Sequence, residues 1–98
     1  MRYVVPPRVG HVVEEPDAQH PTTRVFLMQL PDGEPQLLSG TAALIWVLAA
    51  EGEDDVAQAL ADLLGEPVAT VAQATRSYLD TLVAQGLLTK STGPSPTP

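Results

Sequence analysis

The chain has no cysteine, which excludes a disulfide framework, a zinc-thiolate site and a thiol nucleophile. Basic residues are scarce, with 5 Lys and Arg against 12 Asp and Glu and a net charge of −7. Between Arg24 and Arg76 there is no Lys or Arg at all, while Asp32, Glu34, Glu51, Glu53, Asp54, Asp55, Asp62 and Glu66 all fall there. Nucleic-acid binding draws most of its affinity from cations that neutralise phosphates, and so few scattered bases make no such footprint. An anionic membrane surface is disfavoured for the same reason. No apolar run approaches the roughly 18 residues that span a bilayer, and the opening MRYVVPPRVG lacks the apolar centre of a signal peptide. The expectation is a cytoplasmic protein with neither nucleic acid nor membrane among its partners.

Catalytic chemistry is equally thin. His11 and His20 are the only histidines, and no acid or nucleophile stands at a motif spacing from either. Glu14 and Glu15 adjoin on a stretch of strand character, so they point to opposite faces and share no site. Gly33 and Gly40 are isolated and form no phosphate-cradling loop. Ser39 precedes a glycine but lacks the elbow sequence of a serine hydrolase. The run Glu53-Asp54-Asp55 reads as charge complementing a helix N-terminus rather than as a metal site. The chain is therefore not expected to be an enzyme, nor to hold a metal or a cofactor.

What is present is organised around LLSGTAALIWVLAAEG, residues 37–52. A helix apolar on every side must be enclosed by other elements, and in 98 residues it is the central rod of a single core. Trp46 is its anchor, Ser39 its expected N-cap and Gly52 its left-handed stop. Before it, Val9–Glu15 has weak strand character and residues 16–22 compose a loop. Thr23–Leu30 alternates so that Val25 and Leu27 share one face and Phe26, Met28 and Leu30 the other. Pro31-Asp32-Gly33-Glu34 is a turn, with Asp-Gly accepting positive φ, and Gln36–Leu38 returns as the second strand of a hairpin. After the central helix, Val56, Ala59, Leu60, Leu63 and Leu64 form one stripe of a second helix that Gly65 closes. A third helix runs from about Pro67 to Gln85, with Val68, Val71, Thr75, Tyr78, Leu79 and Leu82 on one face, Arg76 and Asp80 as an i,i+4 pair, and Gly86 as its stop. Leu87 and Leu88 pack back on the core. Residues 1–8, with their Pro-Pro pair, are expected as a flexible arm, residues 9–90 as the domain and residues 91–98 as a disordered tail, the unstructured composition beginning at Thr89. Strands segregated from helices argue for an α+β domain, a three-stranded antiparallel sheet followed by three helices.

Such a sheet has two edges, each of which must be blunted or used. The Gln36–Leu38 strand carries no Lys, and only Pro35 interrupts its donors. An extended peptide could add there as a further strand, unless the N-terminal arm or a second copy covers the edge.

Leu38-Ser39-Gly40-Thr41-Ala42-Ala43-Leu44-Ile45-Trp46 is similar to the Leu-Asn-Pro-Thr-Ala-hydrophobic-Trp helix start of the PqqD-like family. Gly52 ends that helix, and Val56-Ala57 and Ala61 sit in a helix ending near Gly65, as in the family. Tyr78-Leu79-Asp80-Thr81-Leu82-Val83-Ala84-Gln85-Gly86-Leu87-Leu88 resembles the family's aromatic-Leu-x-x-Leu-x-x-x-Gly-Leu-Leu ending. In this sequence Ser39-Gly40 replaces the usual Asn-Pro, Thr75 stands where an aliphatic residue is usual, and the loop at residues 16–22 is longer and richer in proline. The family comprises RiPP recognition elements, which bind leader peptides of ribosomally made and modified peptides. The resemblance implies a winged-helix-like domain in which the leader docks antiparallel to the third strand against the third helix. On this chain that implies main-chain pairing by Gln36, Leu37 and Leu38. It also implies contacts from the Ala72–Val83 flank: Ala72, an apolar pocket at Leu79 and Val83, and Arg76 facing a leader acid. The implied partners are a precursor peptide and a maturation enzyme such as a radical-SAM enzyme, a cyclase or a leader protease. Two other classes fit the architecture: a winged-helix DNA-binding regulator, which the missing bases disfavour, and a dimerisation module.

Overall fold

The computed structural model describes residues 2–91. Strands β1 (Arg2–Val4), β2 (Val9–Glu14), β3 (Arg24–Gln29) and β4 (Gln36–Ser39) are followed by helices α1 (Thr41–Ala50), α2 (Val56–Leu64) and α3 (Val68–Ala84), and then by β5 (Thr89–Ser91). The architecture is α+β, with β2, β3 and β4 forming a three-stranded antiparallel sheet in that order.

The termini depart from expectation. Arg2–Val4 is not a loose arm but a strand paired antiparallel with Thr89–Ser91, opposing Tyr3 to Lys90. Composition hid this pairing, because Pro6 and Pro7 and the Pro/Ser/Thr ending signal irregular chain while the strands themselves are three residues long. Burial of the Tyr3 ring supplies the missing drive. The rest of the expected tail lies outside the described residues.

Alternation in the main sheet follows the pattern. Val25, Leu27 and Leu38 face the helices and are buried, while Val12, Phe26 and Leu37 oppose one another across three strands on the outer face and are exposed. In the hairpin turn, Gly33 does not take positive φ. Its N–H returns to the Gln29 carbonyl at 2.6 Å, and a Cβ there would stand 2.5 Å from that oxygen. Glycine is needed for close approach rather than for handedness.

Helix α1 is the enclosed rod its composition demands. Ala43, Ile45, Trp46, Leu48 and Ala49 are buried and every other apolar residue on it is half-buried. Trp46 is 1% exposed, and its indole N–H reaches the Leu87 carbonyl at a long 3.5 Å, tying the central helix to the chain after α3. Ser39 is not the N-cap. It belongs to β4, and Gly40 occupies the cap at φ 61° without any side-chain hydrogen bond.

All three helices end in one way. The residue after a left-handed glycine sends its N–H back to the carbonyl five residues earlier, Glu53 to Leu48, Glu66 to Ala61 and Leu87 to Leu82, around Gly52, Gly65 and Gly86. At the start of α2, Asp55 accepts from the Gln58 N–H at 3.1 Å, the capping expected of the acidic run. The buried stripe of α2 is Val56, Ala57, Leu60 and Ala61, not the one the apolar pattern suggested. Leu63 and Leu64 lie out in solvent, Leu63 at 60% exposure, because α2 packs on both α1 and α3 and draws its small alanines inward. On α3, Val71, Thr75, Leu79 and Leu82 are buried and Tyr78 half-buried, but Val68 is exposed.

Candidate peptide-binding edge

Which backbone groups β4 offers to a partner follows from register. Gly40 donates to the Thr23 carbonyl at 3.0 Å, and the same pairing opposes Val25 to Leu38 and Leu27 to Gln36. Hydrogen-bonded pairs alternate in an antiparallel ladder, so Gln36 and Leu38 spend their backbone groups on β3. Those of Leu37 and Ser39 point away, toward the open edge. The other side of β3 agrees: Leu30 donates to the Arg8 carbonyl at 2.7 Å, so the even-numbered residues of β3 bond β2 and the odd-numbered ones bond β4.

No described strand pairs with β4 on that side. The N-terminal strand does not cover the edge, because it is held by β5. Pro35 precedes the strand at an outward-pointing position, where its missing N–H costs the ladder nothing. The Leu37 side chain is 55% exposed and continues the outer-face row with Phe26 and Val12. Next to that row Arg24 lies over the Phe26 ring at 5.7 Å and forms an ion pair with Glu14. The opposite edge, at β2, points the backbone groups of His11 and Val13 outward by the same parity. The His11 ring rests 5.0 Å from Trp46.

The residues expected on α3 form one strip, Ala72, Arg76, Leu79 and Val83, at i, i+4, i+7 and i+11. Ala72 and Val83 are half-buried and Leu79 buried. Arg76 and Leu79 do not join Gln36–Leu38 in one cavity. They line a cleft of about 600 Å³ walled instead by Tyr3 of β1, Lys90 of β5 and the start of α2. The expected Arg76–Asp80 pair is also replaced: Asp80 meets Lys90 at 3.5 Å, and Arg76 has no ion pair or hydrogen-bonding partner among the described residues. Close by, Arg2 bonds Asp54, which holds the Asp54 carboxyl below its usual pKa and raises that of Arg2. Burial raises the pKa of the Tyr78 phenol.

Sequence reasoning missed Tyr3 and Lys90 because it assigned both ends of the chain to irregular structure. The alternation of Arg2-Tyr3-Val4-Val5 and the β-branched Thr89 were the available signal. Among the described residues no group of His, Asp and Glu is arranged to hold a metal ion, and no helix is long and apolar enough to cross a membrane.

The family model for coenzyme PQQ synthesis protein D (PqqD) matches residues 24–88. The chain belongs to the PqqD family. The match begins at the first residue of β3 and ends just before β5, so it takes in β4 and all three helices and leaves out β1, β2 and β5. Comparison with curated proteins and with solved structures gave no match.

Proposed function

We propose that this PqqD-family protein is a non-catalytic peptide-binding partner that receives the leader segment of a ribosomally made precursor as a strand on β4 and presents it to a modifying enzyme. The observation that carries the reading is the β4 edge, which no described strand pairs and whose Leu37 and Ser39 backbone groups point outward while β1 is occupied by β5. Main-chain bonds at Leu37 and Ser39 supply affinity, and the incoming strand extends the apolar outer row that ends at Leu37. Family membership supports a peptide partner and a biosynthetic enzyme as the two things bridged. Of the residues expected to bind, Leu37 is the one with both its side chain and its backbone groups free for the peptide. Gln36 and Leu38 set the register from the β3 side.

The test is a titration of fluorescently labelled precursor leader against the protein and two variants. Leu37→Pro deletes one outward donor and leaves the β3–β4 ladder whole, whereas Leu37→Ala keeps the donor and removes the side chain. Binding near micromolar Kd is expected, weakened about tenfold by Leu37→Pro, the equivalent of one hydrogen bond of about 1.4 kcal/mol. Absence of binding at about 100 μM, or equal binding by Leu37→Pro, overturns the proposal.

A further inference from the structure

The cleft beside α3 has a floor and a rim of different character. Val56, Leu79 and Tyr3 make the floor and are buried. Thr75 also lines it, is 1% exposed, and its hydroxyl has no hydrogen-bond partner among the described residues. A buried hydroxyl without a partner is rare in folded proteins and calls for an explanation. On the rim most charged groups are already spent: Asp54 with Arg2, Asp80 with Lys90, and Asp55 as the cap of α2. The Arg76 guanidinium has no such partner among the described residues. One turn of helix thus carries two unspent polar groups at one cavity, an alcohol at the wall and a five-donor cation at the mouth.

We propose that this cleft binds the carboxylate of an apolar acid. The Arg76 fork takes the carboxylate oxygens, the Thr75 hydroxyl donates to one of them after turning about its χ1 bond, and the aliphatic stem lies on Val56, Leu79 and Tyr3. The rest of the rim carries Asp54, Asp55 and Asp80 against Arg2 and Lys90, so its net negative charge rejects polyanions, and the apolar floor disfavours short hydrophilic acids. The carboxylate comes either from an acidic residue of a peptide or from a free branched acid, and both present the same chemistry. This site is separate from the β4 edge and stands whether or not a leader adds there.

An amide NMR titration of the full chain tests it, with 4-methylpentanoate, its neutral amide, acetyl-Leu-Glu-amide and acetyl-Leu-Gln-amide as probes. Saturable shifts confined to the cleft lining, at Tyr3, residues 54–57, residues 75–80 and Lys90, are expected for the acids, with Kd on the order of millimolar for such small ligands. Neither neutral probe binds. Arg76→Gln and Thr75→Val each weaken binding about fivefold or more, Thr75→Ser retains it, and unchanged remote amides verify the fold of each variant. Tighter binding of the Glu peptide than of the free acid assigns a peptide source, and the reverse order assigns a free acid. Shifts that stay linear with concentration, equal binding of acid and amide, or unchanged binding in either Arg76→Gln or Thr75→Val overturns the proposal. Shifts at residues 36–39 instead would assign the acid to the strand edge and also overturn it.

Discussion

Trp46 concentrates more of the fold in one side chain than any other residue. It joins α1 to the segment after α3 through the Leu87 carbonyl and meets His11 of β2 on the sheet side. Trp46→Ala removes a fully buried ring and strands that carbonyl, so a loss of about 3–5 kcal/mol is expected in urea denaturation. A loss below about 1 kcal/mol would mean that the centre can collapse around the gap. A gentler prediction concerns Asp54. Its folded pKa is depressed by Arg2, so the contribution of this contact is present above the unfolded carboxylate value and fades as the pH falls below about 4. Because both partners are exposed, global stability should hardly change. Amide exchange in β1 and β5 should quicken at acid pH relative to β3, and Asp54→Asn should show that faster exchange already at neutral pH.

Two glycines separate conformation from space at the scale of the elements. Gly65 ends α2 at φ 68°, and a methyl placed on its Cα would meet nothing within 4 Å. Gly65→Ala therefore isolates the cost of the left-handed backbone, about 1–2 kcal/mol by thermal or urea unfolding. Gly33→Ala drives a methyl into the Gln29 carbonyl and should cost more while disturbing the β3–β4 register, seen as shifted amides from Gln36 to Ser39. The helices were legible in the sequence because glycine stops and the apolar run from Ala42 to Ala50 act locally. The α2 stripe was not, since Leu63 and Leu64 outweigh Ala57 and Ala61 in hydrophobicity, yet close helix packing selects the small residues. The β3–β4 hairpin could be read from its turn, whereas β1–β5 pairs residues at opposite ends of the chain and leaves no local pattern. At the candidate site the edge strand was foreseen from Gln36–Leu38. The direction of its backbone groups required the register, and the cleft at Arg76 required the termini to be in place.

At the scale of the fold, β1 closes on β5 and no described strand covers β4, so among the described residues the three-stranded sheet retains an edge that most small domains blunt. Whether a leader adds as a strand on β4 is read residue by residue from amide hydrogen exchange, with and without the precursor leader. New protection is expected at Leu37 and Ser39, with Gln36 and Leu38, already bonded to β3, little changed. New protection at His11 and Val13 on the β2 edge, or none at Leu37 and Ser39 when the leader is bound, would contradict strand addition at β4.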